Sequence, residues 1–83
     1  MKKTIHSNAQ MEFCGVLRVA REKKKLTQVV LAERLDKPQS FVAKVERGER
    51  RLDVVEFIQY AKAVGIDPAR LIARLSDQAN LWA

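Results

Sequence analysis

Between Leu26 and Arg51 the chain reads LTQVVLAERLDKPQSFVAKVERGERR, and few folds accept such a stretch. Its pattern predicts two short helices joined by a tight corner. The second helix divides its residues sharply. On a helical wheel Gln39, Ser40, Ala43, Lys44 and Arg47 fall in one polar or small arc, while Phe41, Val42 and Val45 fall roughly opposite. A helix packed on one side, with amide, hydroxyl and cationic groups on the other, is suited to reading base edges in a DNA major groove.

The rest of the composition narrows the possibilities. With 83 residues and 47% apolar side chains, the chain can build one small globular domain, but not a core and a deep catalytic cleft together. A single domain over 1–83 is expected, its core about 8–75, with 76–83 a tail or an extension of a fifth helix. The formal charge is +6, which favours a polyanionic partner. One cysteine, Cys14, excludes an intrachain disulfide, fits a reducing cytoplasm and reads as helix packing. His6 has no neighbouring ligands, so no metal or cofactor is expected. Met-Lys-Lys opens the sequence, but no apolar region follows as a signal peptide would need, and no run approaches membrane-spanning length.

Capping signals mark the remaining helices. Ser7 and Gln10 have capping-box spacing, which starts helix 1 near Asn8. Phe13, Leu17 and Ala20 follow at core-facing spacing, and Lys23, Lys24 and Lys25 read as a solvated helix end. Thr27 is the expected N-cap of helix 2, with Leu31, Ala32 and Leu35 inward. Helix 3 runs from about Gln39 to Arg47, and Gly48 stops it. Asp53 and Glu56 form a second capping box, with Leu52 and Phe57 as a hydrophobic staple. Helix 4 is expected to bury Val54, Phe57, Ile58, Ala61 and Val64 and to end at Gly65. Asp67 and Pro68 open helix 5, stapled by Ile66 and Leu71. That helix carries Leu71, Ile72 and Leu75 toward Leu81. Leu81 and Trp82 read as a dimer contact or a loose tail. The sum is an all-α chain of five helices with short connections.

The stretch resembles the helix-turn-helix of the phage-repressor family, the lambda repressor and Cro-like (XRE) domains. The likeness rests on Thr27 and Gln28, Leu31 and Ala32, Leu35, Gln39 and Ser40, Val42, Val45, and Glu46, Arg47 and Gly48. It extends back to Leu17 and Arg21 and forward through Leu52 to Leu71. The resemblance implies a five-helix lambda-repressor-like DNA-binding domain with the motif at helices 2 and 3. Departures occur at Asp36, where the family usually has glycine, at Lys37, usually apolar, and at Pro38, usually serine. Asp tolerates the left-handed conformation at some cost, and proline suits a helix entry. Val29 and Val30 stand where polar residues are usual. They read as incidental exposure rather than a partner patch.

In that frame Gln39, Ser40, Ala43 and Lys44 are the candidate base contacts. Gln39 offers an amide for adenine, Ser40 a donor or acceptor, Ala43 a methyl for thymine, and Lys44 a cation for guanine or phosphate. Thr27 and Gln28, at the free N–H groups of helix 2, and Arg47, Arg50 and Arg51 are the candidate phosphate contacts. The resemblance also implies that Gln28 clamps the backbone and braces Gln39. Glu46 falls beside Val42 at the edge of the buried face. Arg21 is the family's usual partner for it, which implies an Arg21–Glu46 ion pair locking helix 1 to helix 3.

The function expected is sequence-specific duplex DNA binding by a repressor-like regulator, as a homodimer in the cytoplasm at the nucleoid. Alternatives are the DNA-binding antitoxin of a toxin–antitoxin pair, with a toxin as partner, and a protein-interaction module that has lost DNA binding. Catalysis is not expected. There is one His, one Cys and no paired carboxylates, and Asp36, Asp53 and Asp67 read as turn and cap residues. Aromatic residues, 6% of the chain, are too few for single-stranded RNA platforms.

Overall fold

A computed structural model describes residues 8–78 and Trp82. Ser7 and Leu81, named above in a cap and a dimer contact, lie outside the described residues. Among those described, five helices follow one another without a strand: α1 (Asn8–Lys23), α2 (Gln28–Leu35), α3 (Gln39–Glu46), α4 (Val54–Val64) and α5 (Pro68–Asp77). The chain is all-α.

The helix starts follow local chemistry. Thr27 Oγ1 accepts from the Val30 N–H at 3.1 Å. Asp53 Oδ1 accepts from the Glu56 N–H at 2.7 Å while Glu56 Oε1 accepts from the Asp53 N–H at 3.0 Å, completing the reciprocal box. Asp67 Oδ1 caps α5 through the Ala69 N–H at 2.9 Å, with Pro68 as first helical residue. Pro38 is the N-cap of α3 rather than its first residue, and it brings no side-chain acceptor.

Four helix ends share one device. Lys25, Asp36, Gly48 and Gly65 all have positive φ, between 57° and 80°. In each case the chain turns back so that two N–H groups close onto the last carbonyls. At α3, Gly48 N–H meets the Val45 carbonyl at 3.0 Å and Glu49 N–H meets that of Lys44 at 2.8 Å. Glycine suits this conformation, whereas the Cβ of a lysine crowds the following carbonyl oxygen there. Lys25→Gly should raise stability by up to about 1 kcal/mol, seen as a higher Tm. A lower Tm would show that the lysine side chain offsets the strain.

The core joins all five helices. Leu17, Leu31, Val42, Val45 and Tyr60 are essentially inaccessible, with Ala32, Phe57, Ala61, Val64, Leu71 and Leu75 packed around them. The α2 helix packs chiefly on α3 and α4, and α1 crosses both α3 and α4. Phe13 meets Phe57 edge-on at 5.2 Å between ring centres. Cys14 is buried, which raises its thiol pKa, and Gln10 Nε2 donates to its sulfur at 3.6 Å.

The inner face of α4 departs from the sequence reading. Val54 is 72% exposed and Ile58 38%, and neither joins the core. The buried stripe is Phe57, Tyr60, Ala61 and Val64. Ile58 sits about 100° round the helix from Phe57, on the side that α1 and α2 do not cover. Val54 stands in the first turn, beyond the reach of the packed helices. Ile72 is likewise exposed on α5, at 53%.

Gly15 lies in the interior of α1. A Cβ built there meets nothing within 4 Å among the described residues outside its own helix backbone and chain neighbours, and its φ is not in the left-handed range. Interior glycine weakens a helix relative to alanine, so Gly15→Ala should stabilise the protein by about 1 kcal/mol. Thermal unfolding checks this, and a fall in Tm would show that the site is tighter than it looks.

Candidate nucleic-acid interface

Helix α3 is held from beneath by Val42 and Val45. Its other face is open. Gln39, Ser40, Lys44 and Arg47 are exposed there and Ala43 is half-buried. Phe41 turns inward, 6.5 Å from the Tyr60 ring, with Lys37 and Arg50 cations over its face at 5.4 and 5.1 Å. Those contacts hold the cations at the rim of α3 and cover the ring from water.

A line of hydrogen bonds runs from the core to this face. Arg21 Nε and Nη2 donate to the two Glu46 carboxylate oxygens at 2.6 and 3.1 Å. Arg21 Nη1 also donates to the Leu26 carbonyl at 2.7 Å, just before α2. Gln28 Nε2 donates to Glu46 Oε1 at 3.0 Å, and Gln39 Nε2 donates to Gln28 Oε1 at 3.2 Å. The side chains of Arg21 and Glu46 are 12% and 4% exposed, so this two-bond pair is largely desolvated. Its carboxylate raises the pKa of Arg21, mainly through the hydrogen bond. The line ties α1, the entry to α2, and both ends of α3 together. The buried Tyr60 hydroxyl has no hydrogen-bond partner among the described residues, and burial raises its pKa, with the Glu46 charge adding to the effect.

This line decides what Gln39 can offer. One amide N–H is committed to Gln28. The carbonyl oxygen and the second N–H remain, which is the acceptor–donor pair that an adenine edge complements. Gln28 is half-buried and uses both ends of its amide inside the protein, so its outward donors are its remaining N–H and the free backbone N–H groups of the α2 terminus. Thr27 accepts with its oxygen, which leaves its hydroxyl proton to donate outward.

The arginines beyond α3 have carboxylate partners that the sequence reading did not foresee. Arg47 binds Glu49 through two hydrogen bonds of 3.1 Å, with both side chains at least half exposed. Arg50 binds Glu56 at 3.2 and 2.8 Å and also donates to the Arg51 carbonyl. That guanidinium lowers the pKa of Glu56, and the Asp53 backbone N–H lowers it further. Arg51 is exposed. The exposed Arg47–Glu49 pair is weak, so a phosphate can replace its carboxylate, whereas the Arg50–Glu56 pair is part-buried. The signal was available: Glu49 lies two residues from Arg47, and Glu56 was already placed as a cap.

Among the described residues, no group of three or more His, Cys, Asp or Glu side chains could hold a metal. No helix there is long and apolar enough to cross a membrane.

Comparison with known proteins agrees with this geometry. The family model HTH_3, helix-turn-helix, matches residues 17–71. No curated protein matches the sequence. Among solved structures, an XRE-family like protein from Pseudomonas syringae pv. tomato str. DC3000 is 44% identical. The match covers 88% of this chain and 89% of the other, with a TM-score of 0.80. The restriction-modification controller protein C.AhdI from Aeromonas hydrophila is 35% identical over 75% of this chain and 90% of its own, with a TM-score of 0.68. A mutant of the restriction-modification controller protein C.Esp1396I shares the fold at 20% identity, covering 95% of each chain with a TM-score of 0.69.

Proposed function

Because this chain belongs to the XRE-type helix-turn-helix family of DNA-binding transcription regulators, we propose that it binds duplex DNA sequence-specifically with α3 in the major groove. Gln39, Ser40, Ala43 and Lys44 read base edges. Thr27, the α2 N-terminus at Gln28, and Arg47, Arg50 and Arg51 grip the phosphates on either side. The observation that supports this best is the bracing of Gln39. An exposed glutamine side chain is ordinarily mobile, yet this one is tied through Gln28 to a buried ion pair. A side chain ordered before binding gives up less entropy when it meets a base.

The bound form is a homodimer on a roughly two-fold symmetric site. One α3 covers only a few base pairs, and two heads about one helical turn apart give enough sequence to be specific. Exposed apolar side chains on α4 and α5 support such pairing: Val54, Val55 and Ile58 on one helix, Ile72 on the other. Trp82 adds a ring that is 64% exposed, while its indole N–H donates to the Leu75 carbonyl at 2.7 Å.

Selection of bound duplexes from a random pool, followed by footprinting, tests both parts. The expected result is an enriched two-fold motif whose binding weakens steeply with salt. Likeness to C.AhdI makes a restriction-modification locus one set of duplexes to include. No enrichment over random duplex would overturn the sequence-specific reading. A protein that is monomeric on its selected site would overturn the dimer.

A further inference from the structure

A groove of about 690 Å³ runs along α1, the α4–α5 corner and α5, and none of the residues assigned above to DNA lines it. We propose that this groove docks an acidic amphipathic helix from a partner protein.

The floor is apolar and open. Met11, Gly15 and Val19 succeed one another at four-residue intervals, so they form one line along α1. Met11 is 48% exposed and Val19 41%, with Val64 and Ile66 lining the groove beside them. Gly15 lies at the centre of that line. Beyond its own helix backbone and chain neighbours, nothing among the described residues comes within 4 Å of where its Cβ would stand, so no internal contact there calls for a glycine. The absent side chain instead lets an outside helix approach the α1 backbone closely.

The rim selects the charge of the occupant. Arg18, Lys23, Lys24 and Arg74 line the groove with one carboxylate, Glu12. Arg18 is engaged by Glu22 at 3.2 Å and Arg74 by Glu12 at 3.0 Å. Lys23 and Lys24 have no such partner among the described residues, and Lys24 lies across Gly65, 3.3 Å from where a Cβ would stand. A second copy of this chain docked on the same face would set this cationic lining against itself. Duplex DNA matches the charge but has no apolar side chains for the floor. A helix with leucine-type residues on one face and carboxylates along its edges satisfies both.

The test uses the full chain and a labelled helical peptide of about 18 residues, some five turns. The peptide carries leucine at i, i+3, i+4 and i+7 positions and glutamate elsewhere. Saturable binding is expected, with amide shifts at Met11, Gly15, Val19 and Gly65. Gly15→Leu should weaken it about tenfold or more without lowering Tm, since the added side chain enters open groove. Lys23→Glu with Lys24→Glu should weaken it similarly, which keeps the test decisive if the leucine variant misfolds. A control peptide with serine for leucine should not bind. The proposal fails if the serine peptide binds as well, if shifts fall on α2 and α3 instead, or if neither variant changes affinity. It also fails if raising the concentration of the protein alone gives the same shifts, since the groove would then belong to a second copy, or if duplex DNA moves Gly15 as strongly.

Discussion

Glu46→Ala should destabilise the protein by about 3–5 kcal/mol, although it removes a negative charge from a chain of net charge +6. The substitution takes the close carboxylate from the Arg21 guanidinium, whose side chain is only 12% exposed, and leaves the exposed Glu22 carboxylate at 3.8 Å. It also takes an acceptor from Gln28. Arg21 keeps the Leu26 carbonyl, which places the effect toward the lower end of that range. A change of this size lowers Tm by tens of degrees in so small a protein, at about 4–8 °C for each kcal/mol. Arg21→Ala should hurt comparably, because it leaves the buried carboxylate without its cation. The double variant should lose less than the two single losses together, since neither charge is then stranded. Urea unfolding of the four proteins measures the coupling. Strictly additive losses would mean that the pair does not act as one unit.

Gln39→Ala should lower affinity for the selected duplex by about 1–3 kcal/mol, confined to one or two base positions, while random duplex binds nearly as before. Arg47→Ala should weaken every duplex alike and reduce the slope of log affinity against log salt by about one. Titrations of both variants on selected and random DNA at several salt concentrations separate the two behaviours. Indistinguishable variants would end the division of α3 and its exit into base-reading and phosphate-gripping residues. Gln28→Ala provides a further check. It should loosen Gln39 and blunt discrimination without removing any group that faces a base.

The five-helix architecture was legible because its punctuation is local. Thr27, Asp53 with Glu56, and Asp67 with Pro68 satisfy N–H groups two or three residues away, so their spacing alone marks where helices begin. Asp36 was readable as a left-handed residue from its place in the motif, whereas Lys25 has no such marker, and the same conformation there comes from how α1 meets α2. Helix α4 was misread because its apolar residues allow two overlapping stripes. Val54 and Ile58 are as hydrophobic as the residues that pack, and only the positions of the neighbouring helices decide that Tyr60 goes inside instead. Periodicity counts a tyrosine as half polar, so it cannot foresee one buried with its hydroxyl unpaired. At the candidate interface, helical geometry separated the outward arc of α3 from its inner face. The carboxylates that pair with Arg47 and Arg50 were visible in the sequence, Glu49 two residues from Arg47 and Glu56 in the α4 cap, but which arginine each takes depends on the backbone path between α3 and α4.

A side chain fixed in a line of hydrogen bonds does not mutate alone. Gln39 donates to the Gln28 carbonyl, and Gln28 in turn donates to Glu46. On the proposed role of Gln39 as a base reader, a lineage that exchanged it for a residue reading another base would leave the Gln28 carbonyl facing outward without its donor. Inheritance of a new operator preference would therefore proceed by paired substitution at positions 28 and 39, with Arg21 and Glu46 untouched beneath them. Duplicated copies of such a gene could diverge in target through two codons while sharing one scaffold.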